Sequence, residues 1–167
     1  MASAAASFFS VEDRFKPLFE KKLNIPVKNY SLYQKPDLEI DHARRFIYLG
    51  AEFIYRLPNA EDFHLVIYRQ PKKVPGLAYA FAPMEQLILW LGAHYNDLRI
   101  IRLKGLAKPM DNSYRGLSLE RLQSFYKKYA GALTLDIENN QEWLYVNVQT
   151  FRPVREQYRL RRAAQSI

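Results

Sequence analysis

Residues 77–95, LAYAFAPMEQLILWLGAHY, restrict the fold more than any other stretch of the chain. Met84, Leu87, Ile88 and Leu91 recur at helical spacing, while Leu89 and Trp90 make the remaining surface apolar as well. A helix apolar on so many sides must be covered by other elements, which predicts packing against a sheet. Pro83, Glu85, Gln86 and Gly92 interrupt the run, so it does not read as a bilayer span. Strand-like runs flank it. FHLVIYR (63–69) is apolar on both faces and reads as a central strand. LRIIRLKG (98–105) alternates weakly and reads as another. Strand, helix and strand in that order permit a parallel crossover.

The other elements follow from caps and turns. Ser10 is placed to cap a helix, with Asp13 three residues on in a capping-box-like position. Phe15, Leu18, Phe19 and Leu23 then share one face, and Pro17 marks a kink or the first turn. Residues 25–41 are proline-punctuated and read as a packed loop. RRFIYLGAEFIYRL (44–57) reads as a strand-like run with Gly50 as a bulge or turn. LTLDIE and EWLYVNVQTF flank NNQ, a hairpin signal. Its alternation puts Leu133, Leu135 and Ile137 on one face and Thr134, Asp136 and Glu138 on a wet one. The start, residues 1–9, predicts a frayed terminus, and 152–167 predicts a short basic helix opening at Pro153. Together these predict a single α+β domain. Its mixed or antiparallel sheet of about five strands is packed on one side by two main helices, 80–95 and 118–130, with a terminal helix at each end.

At 167 residues the chain can build its own core without staples. It has no cysteine, which removes disulfides, thiol catalysis and cysteine-held metal sites, and suits a reducing cytosol. The formal charge is +8 and unevenly spread. Residues 71–132 carry ten Lys/Arg against four Asp/Glu, and 152–167 carry five arginines against one glutamate; the intervening 133–151 hold three acids and no base. Such a field attracts acidic partners of several kinds.

SLERLQSFYKKYAG (118–131) braids rings with cations. Laid on a helix, Leu119, Leu122, Phe125, Tyr126 and Tyr129 share one side. Lys127 and Lys128 lie near the negative end of the helix dipole. The aromatics are thus spaced for a core, with Tyr126 at the stripe's edge and open to contact beside Lys127. Candidate partner-binding residues are Lys72, Lys73, Arg115, Tyr126, Lys127, Lys128, Arg155, Arg159, Arg161 and Arg162.

Catalytic signatures are missing from the sequence. His42, His64 and His94 lie in different segments without ligand spacing, and His64 reads as a satisfied core residue. All six glycines are solitary, so no phosphate loop is present, and no serine sits in an elbow motif. No catalytic, cofactor-binding or metal residue is expected.

From FHLVIYRQ through the apolar helix and LRIIRLKG to SLERLQSFYKKYAGA, the order of features resembles the LcrR-type regulators of bacterial type III secretion. The likeness spans roughly residues 60–132 and rests on Ser118, Leu119, Arg121, Leu122, Phe125, Tyr126, Gly131 and Ala132. GLAYAFAPMEQLILWLGAH alone is fainter in its likeness to SpiC-type proteins. The resemblance implies a non-enzymatic regulator in the bacterial cytoplasm. It would act by contacts with an acidic protein of the secretion apparatus or its gatekeeper complex. The charge alone leaves a nucleic-acid-binding regulatory protein as the alternative.

Overall fold

The computed structural model describes residues 12–31, 42–69, 77–106, 123–124, 126–128, 131–138 and 141–153. Helix α1 (Phe15–Leu23) precedes strands β1 (Lys28–Ser31), β2 (His42–Tyr48), β3 (Ala51–Arg56) and β4 (Asp62–Arg69). Then come helices α2 (Leu77–Ala93) and α3 (Tyr95–Leu98), and strands β5 (Arg102–Leu106), β6 (Leu133–Glu138) and β7 (Gln141–Asn147). The strands form one mixed sheet in the order β1-β2-β3-β4-β5-β7-β6. Every pairing is antiparallel except β4 with β5, which is parallel and is joined through α2 and α3.

The α+β class and the crossover are as expected, but the sheet has seven strands rather than about five. Two local features account for the difference. The run 44–57 is a hairpin, because Leu49 and Gly50 adopt φ +52° and +80° and turn the chain so that Tyr48 pairs Ala51. Positive φ at both central residues is the geometry of the tightest hairpin turns. Leu-Gly lacks the usual Asn-Gly signature, so the turn is hard to read in advance. Residues 28–31, expected in a packed loop, pair antiparallel with 42–45 as β1.

Side-chain alternation divides the sheet into two faces. Phe46, Phe53, Tyr55, Phe63, Leu65, Tyr68, Leu103, Leu144 and Val146 point to one side and are buried. β4 keeps its hydrophobics on that side only by a bulge. Tyr55 pairs Leu65 while Ile54 pairs Ile67, so Val66 is an extra residue that reverses the alternation between Leu65 and Tyr68. That reversal is why the strand reads as apolar on both faces in sequence.

Helices cover this side. In α1, Phe15 and Phe19 are fully buried, and the Phe15 ring lies 4.7 to 5.6 Å from Phe19, Phe46, Tyr55, Phe63 and Trp90. Asp13 Oδ1 accepts the Lys16 N–H at 3.0 Å at the start of the helix, while Ser10, the cap expected from sequence, lies outside the described residues. Asp13 Oδ2 accepts from Tyr55 Oη at 2.8 Å and Arg44 at 2.5 Å, tying the helix start to β2 and β3. Burial, then the Asp13 carboxylate, pushes the Tyr55 hydroxyl well above its ordinary pKa. In α2, Met84, Leu87, Ile88 and Leu91 are buried as their spacing predicts. The Tyr68 hydroxyl donates to the Ala80 carbonyl. Gly92 lets α2 approach the segment after β7, since a Cβ there would sit 2.3 Å from the Val148 carbonyl oxygen.

Of the expected 118–130 helix, 123–124 and 126–128 are described and are helical. Gly131, at φ +70°, ends it, and the Ala132 N–H returns to the Tyr126 carbonyl at 2.9 Å. The hairpin of β6 and β7 forms, but its faces differ from the simple alternation. A register shift between Thr134 and Asp136 breaks the period, leaving Leu133 and Ile137 58% and 63% exposed. The strand expected over 98–105 begins at Arg102, because α3 and the left-handed Arg99 (φ +60°) occupy the preceding residues. The frayed start at 1–9 and the basic helix beyond Pro153 lie outside the described residues.

Candidate anion-binding face

Among the described residues, α1, α2 and the Tyr126 turn pack on the same side of the sheet. The strands' alternate positions project to the other side. There the central strands carry Arg45 and Ile47, then Glu52, Ile54 and Arg56, then Asp62, His64, Ile67 and Arg69, then Arg102 and Lys104. Trp143 and Tyr145 of β7 continue the surface. Across β2 to β5 five cations share this side with the carboxylates Glu52 and Asp62, and Lys28 of β1, opposite Arg45, adds another.

Pairing places these groups in rows across the strands. Arg56 is opposite His64, His64 opposite Lys104, and Lys104 opposite Tyr145. Neighbouring strands are about 4.8 Å apart, so this row spans about 14 Å. Each carboxylate organises more than one cation. Glu52 accepts from Arg45 Nε at 2.6 Å and lies 3.5 Å from an Arg69 terminal nitrogen, bridging β2, β3 and β4. Asp62 accepts a two-point contact from Arg102, at 2.7 and 3.1 Å, and Lys104 at 3.3 Å. Asn59 supplies a third partner at 2.9 Å. Burial pushes the Asp62 carboxyl up, but Asn59, Arg102 and Lys104 together hold it below the ordinary carboxylate range.

His64 registers the local field. Burial, then Lys104 and Arg56, lowers its pKa to about 4, against an opposing pull from Asp62. The ring is therefore neutral at pH 7, packed 5.0 Å from Trp143. The sequence reads it as a satisfied core residue; it is largely buried and packed, on the side of β4 that points away from the helices. The neighbouring ring faces are occupied too: the Arg102 guanidinium sits 5.5 Å over Tyr145.

Towards the β2–β3 turn the surface changes character. Ile47 shares its cross-strand row with Glu52 and Arg69 and is 43% exposed. Leu49, at the turn itself, is 59% exposed and left-handed. That conformation costs a non-glycine residue about 1–2 kcal/mol. Arg45 and Arg69 flank this apolar pair, 38% and 39% exposed.

Of the residues marked in sequence, Lys127 and Lys128 are exposed beside Gly131. Tyr126 is not an open contact. Its ring lies 5.3 Å from Phe81 and packs on the core, because its helix presses that edge against α2. Lys72, Lys73, Arg115, Arg155, Arg159, Arg161 and Arg162 lie outside the described residues. Sequence reading missed Arg45, Arg56, Arg69, Arg102 and Lys104. Their signal is a period of two inside the strands, visible once the turn at Leu49-Gly50 is placed. Among the described residues, no cluster of three His, Asp or Glu side chains forms a metal site. No helix there is long and apolar enough to cross a membrane. Comparison with family models, curated proteins and solved structures finds no match.

Proposed function

We propose that this chain is a non-enzymatic regulator of bacterial type III secretion, acting in the cytoplasm by contacts with an acidic gatekeeper component. The carrying observation is the basic side of the sheet, where Arg45 of β2 and Arg69 of β4 are held in place on either side of Glu52 of β3. Arginine clusters held by their own carboxylates are suited to reading carboxylates on another protein. The resemblance over residues 60–132 supplies the biological setting. The shifted ionisable groups on this face, Asp62, His64 and Arg102, are each explained by local pairing or burial. They therefore give no support to an enzymatic reading.

Purified full-length chain mixed with purified gatekeeper components tests the proposal by size-exclusion chromatography. A complex is expected at low salt and its loss at high salt, since the attraction is between charges. Absence of any complex at low salt overturns it.

Nucleic acid is the second reading, favoured by the +8 charge and the arginines of 152–167. It is placed second because the rings nearest the central cations already have packing partners, Tyr145 in Arg102 and Trp143 in His64, which leaves Tyr30 of β1, 36% exposed, as the open ring among the described residues of this face. A base stacks on an open ring face. Duplex DNA titrated at several salt concentrations decides: phosphate contacts give a steep linear loss of log affinity with log salt, which removal of 152–167 flattens.

A further inference from the structure

Leu49 breaks two local rules at once. A branched apolar residue is left-handed, where glycine or asparagine is favoured, and it is 59% exposed rather than buried. The turn is open to water: Leu49 is 59% exposed, and a Cβ at neighbouring Gly50 meets no atom within 4 Å. A strained conformation that exposes an apolar group is a recognised mark of a binding element. The surroundings then say what would bind. Ile47, 43% exposed, extends the apolar surface along β2, and Arg45 and Arg69 stand beside it on the cross-strand rows.

Resting on the regulatory reading above, we infer that the β2–β3 hairpin tip is the docking element: Leu49 and Ile47 seat against apolar side chains of an amphipathic acidic protein segment whose carboxylates pair with Arg45 and Arg69. Glu52 keeps both guanidinium groups in place beforehand, so little side-chain freedom is lost on docking. The apolar pair supplies affinity and the arginines supply selection by charge.

The variant that separates this from a structural role is Leu49→Asn. Asparagine tolerates the left-handed turn, so the melting temperature is expected to rise by about 2–4 °C. Binding is expected to fall about tenfold in the same protein. The probes are a random glutamate–tyrosine copolymer, a glutamate homopolymer of equal length, and oligothymidylate. The full chain is expected to prefer the copolymer, and Arg45→Ala with Arg69→Ala is expected to lose most of that binding. Equal affinity for both polypeptides, unchanged copolymer binding by Leu49→Asn, or stronger binding to oligothymidylate would overturn the docking element. If gatekeeper complexes survive in Leu49→Asn at full strength, the hairpin tip fails while the regulatory reading stands. If no acidic protein binds the parent chain, both fail.

Discussion

The two sides of the sheet use the same strands for opposite purposes. On the helix-covered side, Phe15, Phe46, Tyr55 and Phe63 interlock ring against ring, and the few polar groups are tied up, as Asp13 is by Tyr55 and Arg44. On the opposite side, long charged side chains lie over the strands in carboxylate-centred groups, with apolar residues left exposed near one turn. The first side carries stability because burial scales with apolar area. The second carries less: its partly exposed pairs around Glu52 contribute about 0–1 kcal/mol each, while Asp62 and His64 there are largely buried. The part of this side near Glu52 is therefore free to be specialised for recognition.

The widest gap between the sides should appear on truncating Phe15. Phe15→Ala removes a fully buried ring with five aromatic neighbours and should lower unfolding free energy by about 3–5 kcal/mol in denaturant titration. A loss below 1 kcal/mol would mean that α1 is not part of the core.

Acid should act through the other side. His64 has a lowered folded pKa, so the unfolded chain takes up the proton first as pH falls. Its contribution is complete above about pH 6.5 and is lost towards pH 4, roughly 3 kcal/mol in all. Burial is the main cause, Lys104 and Arg56 facing the ring add to it, and Asp62 opposes them. His64→Phe should flatten this part of the stability profile, and a profile unchanged by the substitution would place the acid sensitivity elsewhere.

Gly92→Ala tests how closely α2 approaches the chain after β7. The new methyl group would meet the Val148 backbone oxygen, which cannot swing away as a side chain would, so a loss of about 1–3 kcal/mol is expected. The smallest effect belongs to Ile47→Ser. At an exposed position on the charged side, it should change stability by no more than about 0.5 kcal/mol. A large loss there would mean that this part of the sheet is covered, and the contrast between the faces would disappear.

The same contrast explains what the sequence disclosed. The covered side was legible wherever period and burial agree: Met84, Leu87, Ile88 and Leu91 announce the helix, and Gly131 announces an end. The mixed sheet was legible in class but not in strand number. Leu49 hid a hairpin turn, Val66 hid the facing of β4, and the shift in β6 turned Leu133 outward. Each is a one-residue irregularity that reverses alternation, and reversals of that kind carry no composition signal. The charged side was missed for a related reason. Arg45 and Arg69 meet at Glu52, and Arg102 meets Asp62 forty residues away in sequence, only through the pairing of β2 to β5.

Asp13 holds Arg44 and Tyr55, which belong to the two arms of one hairpin. Neither arm presents both partners until the chain has reversed at Leu49-Gly50, whereas that reversal needs only local contacts. The first helix therefore gains both of these partners only once the hairpin has closed. Slowing the turn would delay these two contacts, while loosening the helix would leave the turn to form at its own pace.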